Sequence, residues 1–253
     1  MARAPVYERM LNTMRAFYRL IGRSSNGAHV VELDGVLGSV CPRVPDRSLP
    51  NSVVYESEDA LVAALPELAR RYDGAGIDAW TVWTPEDDRR AAAALRDAGH
   101  VLDADPAAMT LDLAGLAPPP DVQYRTGDDL VPVVASINDR SYPFEGTPFA
   151  DFSARHPHGV TRNYVAYLDG EPASAVVILP VDGDAGVFDV ATLPQARGHG
   201  LTTCLMRRAL WDAREEGCDL STLQATKLGE PVYARLGYER HGALEMWERR
   251  RQL

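Results

Sequence analysis

The hydrophobic pattern of residues 187–216 changes from a strand period to a helix period across a pair of glycines. Residues 187–193 are β-branched and apolar without a breaker, and Pro194 ends the run. From Leu201 onward the apolar residues recur at spacings of three and four, with charged residues between them. Gly217 then lies where a glycine commonly ends a helix. The stretch predicts a strand, a glycine-bearing turn and an amphipathic helix.

The patterns around this stretch predict further elements in the second half of the chain. A strand at 122–125 leads to a helix that begins at a capping-box pattern, Thr126-x-x-Asp129, and runs towards Tyr142. The dipeptide Asp169-Gly170 is typical of a tight hairpin turn. The remaining predictions are strands at 163–168, 173–179, 219–224 and 243–247, and a helix around Tyr233. This succession suits a mixed sheet with helices on both faces.

The first half of the chain follows a similar order. Its predicted elements are a helix at 5–21, a hairpin at 29–37, an irregular crossing at 41–51, a helix at 58–72, a strand at 77–84, a helix at 86–98 and a strand at 109–113. Gly217-Cys-Asp follows Gly76-Ile-Asp by 141 residues, and Gly237 follows Gly99 by 138. The near-constant offset indicates a diverged copy of one fold; chance recurrence of common α/β elements is the alternative.

A proline-rich segment separates the two predicted copies. Residues 114–121 include three consecutive prolines, which favour a stiff polyproline II conformation over a flexible tether. The predicted organisation is therefore a domain at 1–113, a linker at 114–121 and a domain at 122–253.

Composition and charge narrow the class of protein. The chain has 253 residues, 45% of them apolar, with no apolar stretch of membrane-spanning length and no signal-peptide pattern. Its three cysteines are scattered, which suggests neither a disulfide framework nor zinc. A net charge of −10 argues against a nucleic-acid partner and mildly favours cationic ligands such as amines. We expect a soluble, cytoplasmic protein without a membrane partner.

The turn at 195–200 is the first candidate binding site. Two glycines at a helix start let backbone N–H groups approach an anion, and the helix dipole favours negative charge there. A dinucleotide fingerprint would require a third glycine where Thr203 stands, and a Walker loop would require lysine after Gly200. The turn therefore predicts a different phosphate-bearing ligand, the alternative being an ordinary strand–helix connection.

Two motifs in this order resemble the GNAT superfamily of N-acetyltransferases. Gln195-x-x-Gly198-x-Gly200, with Arg197 inside and a strand before it, resembles that family's acyl-CoA pyrophosphate loop. The downstream sequence from Tyr233, YARLGY, resembles its "YxxLGF" helix. The resemblance covers residues 122–250, and it implies an α/β (α+β) fold of two GNAT-like domains in tandem, each a mixed, mostly antiparallel sheet flanked by helices.

The resemblance also implies which residues bind acetyl-CoA. The end of the strand would face the pantetheine and the acyl carbonyl, and the loop amides would face the pyrophosphate. The residues implied are Val190, Ala191, Thr192, Leu193, Gln195, Arg197, Gly198, His199, Gly200, Leu201 and Thr202. The first copy carries no glycine before its helix and is acidic there, so we expect no CoA bound in the same manner. A family asparagine is replaced by Thr226, which puts one side-chain contact to CoA in doubt.

Transfer to an amine also needs a proton donor for the thiolate and a route for the amine's proton. The family's acid maps onto Tyr233; the alternative is a tyrosine that only packs under the sheet. Asp189 and Glu145 are the candidate bases, against the alternative of solvated carboxylates or a water path. His156 and His158 lack a nearby third metal ligand, and no metal is expected.

The sequence thus predicts an acetyl-CoA-dependent N-acetyltransferase in which the primary amine of a small molecule attacks the thioester directly. The alternative is a catalytically silent acyl-CoA-binding or sensing module. Protein interaction, including a homodimer contact, is a role left open for the first half.

Overall fold

The computed structural model describes residues 5–142, 146–153 and 157–251. The helices are α1 (Pro5–Ile21), α2 (Glu58–Gly74), α3 (Arg89–Asp97), α4 (Val131–Ser141), α5 (Ala150–Ser153), α6 (Leu201–Glu215) and α7 (Glu230–Leu236). The strands are β1 (His29–Leu33), β2 (Val36–Val40), β3 (Ser52–Tyr55), β4 (Ala79–Pro85), β5 (Val101–Ala104), β6 (Ala107–Asp112), β7 (Tyr124–Thr126), β8 (Arg162–Leu168), β9 (Glu171–Val181), β10 (Asp184–Thr192), β11 (Leu220–Ala225) and β12 (Glu239–Arg250). Within these ranges, no helix combines the length and the apolar character that crossing a membrane requires.

Most predicted elements are confirmed, and two strands were not predicted from the sequence. The helix at 5–21 and the hairpins at Asp34-Gly35 and Asp169-Gly170 are present. β3 was missed because it is a four-residue run beside a proline-rich crossing, and β5 because all its residues are at least partly exposed and show no alternation.

The capping box predicted at Thr126-x-x-Asp129 does not form. A 3₁₀ turn at Asp128–Leu130 comes first, and α4 begins without a side-chain cap. The Asp129 carboxylate instead accepts a hydrogen bond from Arg125 at 2.6 Å.

The chain divides into two compact units whose segments interleave along the sequence. Unit 1 takes its described residues from Met1–Ala108, Gly146–His156 and Gly242–Leu253, and unit 2 from Met109–Glu145 and Pro157–His241. These bounds differ from the predicted 1–113 and 122–253, because strand pairing rather than chain order assigns the ends. Within unit 1, β12 pairs antiparallel with β4 from Leu244↔Pro85 to Arg250↔Ala79. Within unit 2, the backbone N–H of Leu113 donates to Asp219.

Each unit has a mixed, mostly antiparallel sheet flanked by helices. In unit 1 the strand order is β1-β2-β3-β4-β12, and β5 also pairs with β12. In unit 2 the order is β6-β11-β10-β9-β8-β7. One pair of consecutive strands in each unit is parallel, namely β3–β4 and β10–β11.

Unit 2 buries one apolar stripe of α4 against its sheet. Leu130 before the helix and Val134 and Ile137 within it contact alternate residues of β8, β9 and β10. The helix α6 likewise buries its apolar stripe, with Leu205, Met206, Ala209, Leu210 and Ala213 almost inaccessible. Each large side chain buried in this way contributes about 1.5–3 kcal/mol relative to exposure. These contacts fix both helices on the sheet that carries the site.

A candidate cofactor cleft where two parallel strands part

The pairing of β10 with β11 stops well before either strand ends. The two strands are in parallel register only at Asp184↔Leu220, Ala185↔Ser221 and Gly186↔Thr222. Beyond these positions β10 continues to Thr192, and among the described residues its strand partner there is β9. The carboxyl ends of parallel strands are where open α/β sheets bind ligands, because the backbone groups there lack a strand partner.

The helix α6 begins beside this part of the sheet and lacks a side-chain N-cap. Gly198 and Gly200 have φ values of 83° and 74°, which favour glycine, and a Cβ added at either position would meet nothing within 4 Å beyond its chain neighbours. Gly200 is the N-cap; among the described residues no side chain caps the N–H groups of the first turn, which holds no acidic residue. The N–H groups of residues 201–203 therefore have no intrahelical partner and suit an anion.

Two side chains connect this loop to its surroundings. Arg197 donates through Nη2 to the carbonyl of Ser141 at 3.3 Å and through Nε to that of Thr192 at 3.4 Å. Its guanidinium thus links the loop to the last turn of α4. His199 folds back, with Nδ1 at 3.2 Å from the carbonyl of Arg197. Both side chains contact backbone, which leaves the loop's amides as its ligand-binding groups.

A cluster of hydroxyls joins the end of β10 to the first turn of α6. Ser174 donates to the carbonyl of Ala191 at 3.0 Å and lies 2.8 Å from the Thr192 hydroxyl, which in turn contacts Thr202. Sequence reasoning identified Thr192 and Thr202 but missed Ser174, since a serine within a strand carries no signal of such a role.

Asp189 occupies a bulge in β10. The register with β9 shifts between Phe188 and Ala191, and Asp189 has φ of 51°, a left-handed conformation that aspartate tolerates better than most residues. The residue keeps some exposure, but its carboxyl is enclosed by protein, and this desolvation raises its pKa to about 7. A carboxyl that titrates near neutrality is suited to proton transfer.

Tyr233 lies on α7, the helix that follows β11. Its ring packs edge-on against Tyr238 at 5.8 Å, and Tyr238 is held by a 2.7 Å hydrogen bond to Ser221. Burial, and secondarily the nearby Tyr142 hydroxyl, raise the pKa of Tyr233 above its ordinary value. The phenol therefore keeps its proton at neutral pH.

The remaining predicted residues are two histidines, a glutamate and a threonine. Glu145 and His156 lie outside the described residues. His158 is 3.4 Å from Asp128. Thr226 accepts a hydrogen bond from the N–H of Gly229 and so shapes the turn before α7. Among residues 5–142, 146–153 and 157–251, no cluster of three or more histidine, cysteine or acidic side chains could hold a metal ion.

The corresponding parallel pair of unit 1 opens into a cleft of about 530 Å³. Here the helix starts are already occupied: Ser57 caps α2 by accepting from the N–H of Ala60, and Glu58 accepts from the N–H groups of Arg90 and Ala91 at the start of α3. The charged residues lining the cleft are Glu8, Glu56, Glu58, Asp59, Asp88, Arg15 and Arg90. Its lining is therefore net acidic, which disfavours phosphate.

Residues 125–241, nearly all of unit 2, match the family model described as an acetyltransferase (GNAT) domain. The matched residues include the loop at 195–200 and Tyr233.

Solved structures share the fold of nearly the whole chain. A GCN5-related N-acetyltransferase from Kribbella flavida is 20% identical with a TM-score of 0.66, over 94% of this chain and 95% of that one. Another from Sphaerobacter thermophilus is 14% identical with a TM-score of 0.57, over 97% and 92%. A putative acetyltransferase of the GNAT family from Novosphingobium aromaticivorans is 16% identical with a TM-score of 0.59, over 88% and 92%. No curated protein matches the chain.

The open start of α6 can be tested with two substitutions that differ only in charge. Aspartate and asparagine both tolerate the left-handed backbone at Gly198. Gly198→Asp places a carboxylate beside the amides, so we expect CoA affinity to fall at least about 10-fold relative to Gly198→Asn, measured by calorimetry. Equal affinities in the two variants would show that no phosphate binds at this loop.

Proposed function

We propose that the protein is an acetyl-CoA-dependent N-acetyltransferase that acetylates the primary amine of a small molecule. The observation that carries this proposal is the convergence, at one cleft of a GNAT-like domain, of an uncapped helix start, an unpaired strand edge and two titratable side chains. The net charge of −10 favours a cationic acceptor over an anionic one.

Acetyl-CoA is proposed to lie in the β10–β11 cleft. Its pyrophosphate would meet the amides of the loop and of the first turn of α6. Its pantetheine would take the place of the missing strand partner beside β10. The residues assigned to binding are Val190, Ala191, Thr192, Leu193, Gln195, Arg197, Gly198, His199, Gly200, Leu201 and Thr202.

Unit 1 is proposed to be a diverged copy of unit 2 that no longer binds CoA. Both units contain the order strand–helix–strand–helix with a parallel strand pair: β3-α2-β4-α3 in one and β10-α6-β11-α7 in the other. In unit 1, Ser57 caps the helix start that a phosphate would need, and Glu58 and Asp59 place negative charge in the first turn of that helix. We therefore expect one CoA per chain.

The proposed reaction needs one proton acceptor and one proton donor in the chain. Asp189, with a pKa of about 7, is assigned to accept the amine proton; Glu145 is the other candidate. As the amine nitrogen bonds to the acyl carbon, backbone N–H groups of the bulge stabilise the charge on the carbonyl oxygen. Tyr233 is assigned to donate its proton to the sulfur as the C–S bond breaks, which leaves the amide and free CoA.

The alternative function is an acyl-CoA-binding or sensing module without catalysis. A thiol-release assay with acetyl-CoA against small amines, polyamines, amino sugars and amino acids separates the two. Thiol release with one amine class supports the enzyme. Tight acetyl-CoA binding without release from any amine supports the sensor, and absence of binding contradicts both.

Tyr233→Phe tests the proton donor. The ring and its packing against Tyr238 are kept, so CoA affinity and melting temperature should change little. We expect kcat to fall by roughly 10²–10⁴-fold with KM nearly unchanged, because the proton is needed only in the transition state. Tyr238→Phe is an unsuitable control because it breaks the Ser221 bond, whereas Tyr124→Phe on β7 removes a hydroxyl three strands from β10. A Tyr233→Phe enzyme with normal kcat, where chemistry limits the rate, would assign the proton to water.

The pH dependence of kcat tests Asp189. A base must be ionised to act, so kcat at saturating acceptor should rise through about pH 7 and level off above it. Asp189→Asn should remove this limb, and asparagine also tolerates φ of 51°. Because burial raises the folded-state pKa from 3.8 to about 7, the fold loses stability as pH rises between these two values, and the loss is complete above about pH 7. The variant should therefore melt no lower than wild type at about pH 8. A limb near neutral pH that persists in the variant would point to Glu145 or to a water path.

A further inference from the structure

A side chain of α4 and the side chain of the residue that follows this helix bind consecutive carbonyls of the bulge in β10. Asn138 donates through Nδ2 to the carbonyl of Asp189 at 3.2 Å, and Tyr142 donates through its hydroxyl to that of Val190 at 3.1 Å. Asn138 lies in the last turn of α4, and Tyr142 directly follows the helix, with its backbone N–H donating to the carbonyl of Asn138 at 2.9 Å. Together they attach both carbonyls of the distorted segment to α4.

The orientation of Asn138 is fixed by its partners. Its Nδ2 also donates to the carbonyl of Val134 at 3.0 Å, so both amide hydrogens are used on carbonyl acceptors. The residue is only 8% exposed and stands next to Ile137 on the buried side of α4. An apolar residue would bury more hydrophobic surface there, so packing does not account for an asparagine.

Holding these carbonyls also fixes the N–H groups of the bulge. A peptide unit is planar and trans, so the N–H of Val190 points opposite to the carbonyl of Asp189. Ala191 is in antiparallel register with Ala175, and the N–H of Leu193 donates to Ala173 on β9. Alternation along the strand then directs the N–H groups of Val190 and Thr192 to the opposite edge, which faces the cleft.

Without these two hydrogen bonds, the strained backbone of the bulge would relax to a more favourable conformation. A non-glycine residue at φ of 51° costs on the order of 1–2 kcal/mol, and such a conformation persists only when its surroundings enforce it. Turning the peptide between Asp189 and Val190 would relieve it and would also turn the Val190 N–H out of the cleft. The bond from Asn138 opposes that rotation directly, and the bond from Tyr142 holds the next peptide.

We propose that Asn138 and Tyr142 are positioning residues that keep the Val190 N–H directed at the acyl carbonyl of the bound thioester. This rests on the proposed function, since it presumes that acetyl-CoA occupies the β10–β11 cleft. Both side chains are proposed to act through the backbone of the bulge.

The direct test is the infrared carbonyl band of acetyl-CoA carrying ¹³C in the acetyl carbonyl, measured bound to the protein without any acceptor. A hydrogen bond to the carbonyl oxygen lowers this frequency. We expect the band to move to higher frequency in Asn138→Leu and in Tyr142→Phe, and furthest in the double variant. Affinity for CoA, which has no acyl carbonyl, should stay within about 3-fold of wild type. In turnover, kcat should fall roughly 10–10²-fold, up to the usual effect of losing one carbonyl donor, with little change in KM.

Matched controls are Ser136→Ala, on the exposed side of α4, and Tyr124→Phe, on β7; neither should move the band. If Asn138→Leu does not fold, Tyr142→Phe carries the test, because that residue is 54% exposed and only its hydroxyl is lost. A band unmoved in a folded Tyr142→Phe and Asn138→Leu would overturn the proposal, even if kcat fell. Absence of acetyl-CoA binding by the wild type would overturn this proposal together with the proposed function, whereas binding with a responsive band but no turnover would overturn only the function.

Discussion

The early end of pairing between β10 and β11 is the constraint on which the candidate site depends. After Gly186↔Thr222 the two strands part, and the β11-facing edge of β10 is left without a strand partner. Backbone N–H groups that are removed from water need an acceptor, so this edge suits a ligand that runs beside it as a strand would. The glycines at 198 and 200 then turn the chain so that α6 begins beside the same opening.

The two units share a strand–helix connection at a parallel strand pair, but the helix start favours an anion in unit 2 and disfavours one in unit 1. In unit 2 the start of α6 has neither a side-chain cap nor an acidic residue. In unit 1 the start of α2 is capped by Ser57 and followed by Glu58 and Asp59. The dipole of α6 would stabilise a bound anion, whereas at the start of α2 an anion would have to displace the chain's own polar groups. A few side chains at helix starts are sufficient for this difference, without a change in strand order.

The bulge in β10 combines several demands in a short segment. Its left-handed residue breaks the β9 register, and its carboxyl is enclosed enough for the pKa to rise to about 7. Both features are unfavourable for stability and are kept in place by hydrogen bonds from Asn138 of α4 and from Tyr142 just after it. Local strain and a perturbed titration at one cleft are features typical of functional sites.

Local sequence was sufficient for the elements and for much of the site. Three features could be predicted from the sequence: the switch of hydrophobic period at residues 187–216, the glycine turn and the position of Tyr233. Periodicity and left-handed glycines are properties of neighbouring residues. The role of Asn138 is only weakly indicated by the sequence, as a polar residue beside the apolar stripe of its helix. The roles of Tyr142 and Ser174 are not indicated by it, since their partners are backbone carbonyls 48 and 17 residues away.

Tertiary structure alone decided which segments share a sheet and what surrounds each carboxyl. Residues 242–250 lie with β4 in unit 1, although the chain order groups them with residues 122–241. The pKa of Asp189 likewise depends on atoms brought around it by packing. The sequence by itself determined the period of each element, its turns and the phosphate-loop motif, because these follow from neighbouring residues. Strand partners, the parting of β10 from β11 and the enclosure of Asp189 follow from contacts between residues distant in sequence, which no local pattern specifies.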